Sequence, residues 1–450
     1  MTFFYFTISH LTISHLTLMT RKSIHALATT ALLLTAPAAF AQKTYLHCGR
    51  LLDVRSGKLL SQQTIVVEKD RIVAVQAGYT TAAGPQDKVI NLENRTVLPG
   101  LIDCHVHVLS HPGKGSGMNQ FTMNPADYAY RAIGDALATL RAGFTTVRDM
   151  GGDDGVNIAL RNAVNKGQVV GPRIFTAGAA ISATGGHMDD ADGLSRDLME
   201  KIGQPANIAN GPDQCRQAVR EQFKRGADVI KIASTGGVLD LSKDGSGPQY
   251  SEEEIRAVVE TARDLGMKVA CHAHGAEGIK RAVRAGVTSI EHGTLMDDEG
   301  RQLMKARGTW YVPTIIAGKS VADSARVAGY FPAAIVPKAL SIGPQLQANC
   351  GRAYKAGVKI AFGTDAGVYR HGVNALEFGY MTQAGIPALE AIRAATINAA
   401  ELLGETPSLG TLEVGKFADI VALDGDPLQD ISALLRPTFV MKAGVAYRQE

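Results

Sequence analysis

The chain has 450 residues, more than a single hydrophobic core usually organises, so one large domain with a smaller companion is expected. Hydrophobic content of 45% and charged content of 20% are those of an ordinary globular protein. A net charge of +3 is too small to indicate nucleic acid or an anionic membrane surface as a partner.

Residues 1–41 read as a targeting segment rather than as structure. Met19-Thr20-Arg21-Lys22 is a short positive stretch, 26–36 is apolar, and Ala39-Phe40-Ala41 is a small-residue cleavage pattern. A tandem Thr-Ile-Ser-His-Leu occupies 7–11 and 12–16, upstream of that pattern. Met19 is therefore the expected start, and cleavage after Ala41 the expected processing. The apolar run is too short for a comfortable membrane span. A secreted protein is expected, periplasmic in a Gram-negative cell. Cys48, Cys104, Cys215, Cys271 and Cys350 remain; an odd number at irregular spacing is no disulfide scaffold, though one bridge is compatible with export.

Residues 42–98 carry short β-like runs at 45–48, 63–67, 71–75 and 88–92, separated by Gly, Asp and Asn. They predict the first part of a small β-sandwich. From Pro99 the pattern changes to strand-then-helix units. Strands are expected over 98–107, 145–149, 173–181, 229–233, 268–274, 289–292, 310–315 and 359–364. Helices are expected over 127–142, 218–225, 252–265, 276–285 and 297–306. Such alternation over 99–404 matches an α/β fold, the (β/α)8 TIM barrel, closed by a helix over 388–403. Strands at 415–424 and 439–447 place the second part of the β-sandwich in 405–450.

In such a barrel the chemistry sits at the carboxyl ends of the strands. The first strand ends in His105 and His107, whose i, i+2 spacing puts two imidazoles on one face. Histidine is the commonest protein metal ligand, but an H-x-H pair alone is weak. Four further strands add to it: Lys231 inside an apolar run, His272 and His274, Glu291-His292-Gly293, and Gly363-Thr364-Asp365-Ala366-Gly367. Read alone, Lys231 suits a lysine snorkelling to solvent. A buried ammonium among metal cations would be costly. A lysine carboxylated by CO2 is an anion with two oxygens, able to bridge two metals, and the ligand-rich setting favours it. Cys104 and Cys271 neighbour the histidines but point to the opposite face, as buried small hydrophobes. Glu291 likewise points away from the His292 face and reads as structural.

The ordered set P-G-L-I-D-x-H-x-H, K, H, E-H-G and G-T-D-A-G resembles the amidohydrolase superfamily in its binuclear, carboxylated-lysine form. The stretch Gly415-Lys416-Phe417-Ala418-Asp419-Ile420-Val421 matches the flanking signature. Thr145-Thr146-Val147-Arg148-Asp149 and 181–187, ending Gly185-Gly186-His187, resemble the Xaa-Pro dipeptidase and metallocarboxypeptidase branch that includes ochratoxin-hydrolysing amidohydrolases. The resemblance covers about residues 43–450. It implies that His105, His107 and Asp365 bind a buried divalent ion, that His272 and His292 bind an exposed one, and that carboxylated Lys231 bridges them. Zinc is the expected ion, with manganese and cobalt open. The branch often forms homo-oligomers.

Two divalent ions flanking one water would make hydroxide available near neutrality. Asp365 is then the expected general base and acid, and His187 a hydrogen-bond donor to the developing oxyanion. His274, Arg148 and Tyr369 are candidate substrate contacts, with Arg370 and His371 also at the mouth. Related peptidases carry a tyrosine near His274, so this chain departs from their pattern where substrate preference is set. Arg148 suits a substrate carboxylate, or equally an ion pair with Asp149. His111 reads as an ordinary surface histidine. The segments 188–214 and 317–344 are expected over the mouth. The expected reaction is hydrolysis of an amide to a C-terminal amino acid, from a peptide or an N-acyl amino acid such as ochratoxin A. Cyclic amides of the imidazolone type, lactones and phosphotriesters are alternative substrates; a secreted binding protein on a degenerate barrel is the alternative outside enzymes.

Overall fold

The computed structural model describes residues 42–450, apart from 153–154, 204 and 241–244. The expected leader, with its Met19 start and Ala41 cleavage, lies outside the described residues.

The chain opens with β1 (Lys43–Asp53), β2 (Lys58–Glu68), β3 (Arg71–Ala77) and β4 (Lys88–Pro99). It returns to β structure near its end. Between lie β5 (Leu101–Val106), β6 (Phe144–Asp149), β7 (Arg173–Thr176), β8 (Val229–Ala233), β9 (Lys268–Ala273), β10 (Ser289–His292) and β11 (Trp310–Val312). The last strands are β12 (Ile420–Leu423), β13 (Pro437–Lys442) and β14 (Val445–Gln449). One seven-stranded sheet runs β14-β13-β12-β4-β1-β2-β3, so both chain ends share it. The join is antiparallel pairing of β12 with β4, Ile420 opposite Pro99. Its buried face is built from alternating apolar residues such as Leu46, Ile65, Val97, Ile420 and Phe439.

The strand expected over 98–107 is two. Gly100 turns the chain out of β4 and into β5, and a Cβ there would lie 2.2 Å from Thr145 Oγ1. The Thr145 side chain occupies the space a Cβ would need, so the position calls for glycine. The run 439–447 is also two strands, a hairpin turned by Ala443 and Gly444, both at positive φ.

β5, β6 and β7 form one parallel sheet and β8 to β11 another. These strands are buried throughout apart from parts of β7 and the first residue of β9, as expected when parallel strands are covered on both faces. The strand expected over 173–181 stops at Thr176, and Ile181 bridges Ile232 after a bend. That over 310–315 ends at Val312. That over 359–364 keeps only single bridges, Tyr311 with Ile360 and Val106 with Ala366. Its backbone still bonds both neighbours: Ala361 N donates to Tyr311 O at 3.0 Å and Cys104 N donates to Phe362 O at 2.8 Å.

Between strands run the helices Pro125–Arg141, Gly211–Arg225, Glu252–Asp264, Ala276–Ala285 and Asp298–Arg307. Ser251 and Glu254 form a capping box that starts the third, and Gly286, in the left-handed region, ends the fourth. The helix expected over 388–403 is broken into Ala388–Ala394 and Ile397–Leu403 at Thr396, whose hydroxyl donates to Ile392 O. Ile315–Ala325 and the long Val336–Ala356 supply much of the segment expected over the mouth. All five described cysteines are buried and free, so no bridge forms among them.

Candidate metal centre

His105, His107, Lys231, His272, His292 and Asp365 line one cavity of about 210 Å3, together with His187 and His274. They come from β5, β8, β9, β10 and the segments after β5, β7, β9 and β11. The chain turns sharply where it delivers them. His292 (φ 68°), Thr314 (φ 51°) and Asp365 (φ 60°) all sit in the left-handed region. Such strain costs roughly 1–3 kcal/mol per residue and persists where the surroundings over-determine it. Gly363 permits the last turn, since a Cβ there would lie 2.2 Å from Val312 Cγ1 and 3.0 Å from His105 Cβ.

The rings form a packed array. His187 stacks on His272 with centroids 4.1 Å apart, and His292 lies 4.7 Å from His272 and 4.9 Å from His105. Burial favours the neutral form of His105, His107, His272, His274 and His292. It lowers His105, His272 and His292 well below the usual histidine value, and brings His107 down to about 4 and His274 to about 3. Neutral imidazoles are the ligating form.

Partners outside the cavity fix which nitrogen faces inward. His105 Nδ1 donates to Glu291 Oε2 at 2.8 Å and His107 Nδ1 donates to Gly151 O at 3.1 Å. Each Nε2 then keeps its lone pair for the cavity. His272 is oriented the other way, giving Nε2–H to Gly236 O at 3.1 Å and freeing Nδ1. His292 Nδ1 pairs with Thr314 Oγ1 at 2.8 Å, and His274 Nδ1 with Thr294 Oγ1 at 2.7 Å. Asp365 Oδ1 lies 3.5 Å from His105 Nε2 and 3.3 Å from His107 Nε2. One ligand atom from each of these three residues lies within 4.8 Å of the others.

His105 Nε2, His272 Nδ1, Asp365 Oδ1 and Lys231 Nζ are buried without a hydrogen-bond partner among the described residues. A folded protein rarely leaves four polar atoms so, and each costs about 1–3 kcal/mol unless something binds it. Two nitrogens, a carboxylate oxygen and a lysine nitrogen in one cavity fit divalent cations.

Several residues play parts the sequence did not foretell. Arg148 makes no wall of the cavity. It is fully buried, its Nε donating to Cys104 O at 2.6 Å and its Nη2 to Glu291 Oε1 at 2.8 Å. Its partner is thus Glu291 rather than a substrate carboxylate or Asp149. Glu291 joins Arg148 to His105, so it supports the site directly. Tyr369 packs in an apolar cluster with Val106 and Ile316 behind the cavity, and its neighbour Val368 lines it instead. Arg370 is exposed, and His371 is buried against Thr139 Oγ1 at 3.2 Å; neither lines the cavity. His111 pairs with Asp135 at 3.1 Å.

Asp103, inside the opening motif, was assigned no role. Its carboxylate accepts from His105 N and Thr364 N, each at 3.1 Å, and from Asn374 Nδ2 at 2.8 Å. It ties β5 to the segment 359–366 and to Asn374 beyond it. His187 is held by a residue of no visible motif: its Nδ1 donates to Asp240 Oδ2 at 3.2 Å, and Lys338 Nζ donates to Asp240 Oδ1 at 2.9 Å. The Gly237 backbone lies so close beneath the ring that a Cβ would sit 2.0 Å from it.

Buried histidines and a carboxylate gathered at strand ends, beside a lysine, form a candidate divalent-metal site in an α/β fold. The amidohydrolase family profile matches residues 96–446, and the chain belongs to that family. It is 33% identical over 433 residues to the ochratoxinase of Aspergillus niger, covering 91% of this chain and 87% of that protein. A crystal structure of a Xaa-Pro dipeptidase with bound methionine superposes with TM-score 0.87 at 45% identity, covering 90% of this chain and all of the other. A prolidase complexed with N-methylphosphonate-L-proline follows at TM-score 0.81 and 36% identity, over 91% of this chain and all of the other. The protein is therefore a hydrolase acting on carbon–nitrogen bonds, in the branch of the ochratoxinase and the Xaa-Pro dipeptidases. Among the described residues, no helix is long and apolar enough to cross a membrane.

Proposed function

We propose that the protein hydrolyses the amide bond joining an acyl group to a C-terminal amino acid, in dipeptides and N-acyl amino acids. The observation that carries this reading is the set of four unpartnered buried atoms on His105, His272, Lys231 and Asp365 in one cavity. His105, His107 and Asp365 would hold one divalent ion and His272 and His292 a second, with Lys231, as its CO2 adduct, between them. Zinc suits this donor set. Bound ions would supply Lewis acidity toward the amide carbonyl and lower the pKa of water.

The chain's own groups do the rest. Asp365 lines the same cavity, where its carboxylate can take a proton from the attacking water and return it to the leaving amine. His187 gives Nδ1–H to Asp240, so Nε2 donates to an oxyanion only from the doubly protonated ring, whose charge faces the Asp240 carboxylate. Met188, Val238, Ile342 and Leu346 give the cavity an apolar wall for the amino-acid side chain and keep water out.

The backbone bridges between Ile181, past the end of β7, and β8, between β11 and 359–366, and between 359–366 and β5 support closure of the strands into a (β/α)8 barrel. The charge, apolar and small-residue pattern of 19–41 supports export.

The test supplies zinc and bicarbonate to purified protein and screens dipeptides and N-acyl phenylalanines. Turnover is expected, with two zinc ions per chain. Lys231→Ala is expected to hold fewer ions and to lose at least about a hundredfold in kcat. Full activity in Lys231→Ala at two ions per chain would remove the lysine from the centre.

A further inference from the structure

A second, larger chamber of about 610 Å3 adjoins the candidate metal cavity and shares His107, Ser110, Leu239, Val321 and Val368 with it. Tyr128, Tyr330 and Phe331 make part of its wall, the last two in edge contact with centroids 4.8 Å apart. Arg131, on the helix Pro125–Arg141, also lines it.

Arg131 is half-buried and makes no ion pair among the described residues; its guanidinium carbon lies 5.2 Å from the Tyr128 ring centroid. Its Nη2 donates to Leu109 O at 2.9 Å and its Nη1 to Met123 Sδ at 3.5 Å. Its Nε is buried with no partner among the described residues. The guanidinium carries five N–H donors, so three remain unmatched. Asp190 lines the same chamber, yet no carboxylate of the described residues lies within 4.0 Å of Arg131. A half-buried guanidinium that lines a cavity, each Nη keeping a second N–H unmatched among the described residues, suits a planar oxyanion that arrives from outside.

The geometry points to Arg131 as an anion subsite of the outer chamber, selecting amides whose acyl half bears a carboxylate. This rests on the amide-hydrolase reading above. The inner cavity, about a third the volume of the outer, suits the single released amino acid, and the larger chamber then takes the acyl half. The aromatic wall accommodates the carbon chain or ring between amide and carboxylate.

The test compares N-glutaryl- with N-pentanoyl-L-phenylalanine on the zinc-loaded protein. The two differ only by a terminal carboxylate. A kcat/KM ratio of roughly tenfold or more in favour of the glutaryl amide is expected, from one charge-assisted hydrogen-bond pair. The ratio is expected to fall toward one in Arg131→Gln and to persist in part in Arg131→Lys, with zinc content held. A wild-type ratio of one or less, or a ratio untouched in Arg131→Gln, overturns the proposal. Calorimetric binding of glutarate against pentanoate separates the two readings, because neither is turned over. Tighter glutarate binding, lost in Arg131→Gln, with no acyl-phenylalanine hydrolysed, keeps the subsite and sinks the amide hydrolase. Equal binding of the two acids sinks the subsite whatever the turnover.

Discussion

Glu291 Oε2 sits 2.8 Å from His105 Nδ1, and both side chains are fully buried. The other Glu291 oxygen receives Arg148 Nη2 at 2.8 Å and the hydroxyl of Ser289. The carboxylate thus fixes the His105 tautomer and raises the basicity of the nitrogen that faces the cavity. Arg148 neutralises the charge that this arrangement buries. In Glu291→Gln the amide nitrogen must face either the imidazole N–H or the guanidinium, and both are donors. A loss of roughly 10- to 100-fold in metal affinity and in kcat/KM is expected. Zinc titration against a competing chelator, beside kinetics at saturating zinc, separates the two effects. Unchanged affinity in a folded Glu291→Gln would reduce the pair to packing.

The Asp240 carboxylate stands between His187 and Lys338, contributed by different segments of the chain. If its task is to aim His187 at the substrate, Asp240→Asn weakens that aim without touching the histidines and carboxylate that gather at the centre. The expected result is a fall in kcat of roughly 10- to 100-fold, with KM and zinc content near wild type. Lys338→Met, which leaves Asp240 in place, is expected to act in the same direction and less. A change in KM alone would assign the trio to substrate binding.

The metal-competent residues were legible because the chemistry restricts them to His, Lys and Asp at strand ends. Asp103 was visible as a letter of the motif but carried no signal of its hydrogen bonds to Thr364 and Asn374, 261 and 271 residues away. Glu291 reads from strand alternation and Arg148 from the fit of a guanidinium to a carboxylate, and neither signal tells a side chain's partner. Their pairing across 143 residues appears only when β6 and β10 are set into the fold. The breaks at Gly100 and Thr396 were missed for a different reason. The apolar pattern runs through both, and the turn is imposed by a neighbour: Thr145 at the glycine, and a hydroxyl bonded to its own helix at the threonine. The chambers at and beside the candidate metal site depend on where 317–344 lies, and no periodicity sets that.

Glu377 is a buried carboxyl whose oxygens accept Ile315 N at 2.8 Å and Ile316 N at 2.7 Å, at the start of the helix that covers the cavity. Burial pushes its pKa up to about 8 from an ordinary value of 4.5, against the pull of those two N–H groups. Between these values the folded protein holds a proton that the unfolded chain has released. The unfolded state binds fewer protons, so the unfolding free energy falls as pH rises through this window. The slope from this group is at most about 1.4 kcal/mol per pH unit. Glu377→Gln cannot titrate and is expected to lose that slope, whatever its baseline stability. Urea unfolding at several pH values from 5 to about 8 measures the difference between wild type and variant. Other buried carboxyls, such as Asp103 and Asp149, both raised to about 6, titrate in both proteins and cancel. A difference that stays constant across the window would mean that the two backbone donors hold Glu377 ionised, and that the helix Ile315–Ala325 is capped by a charge rather than by a neutral acid.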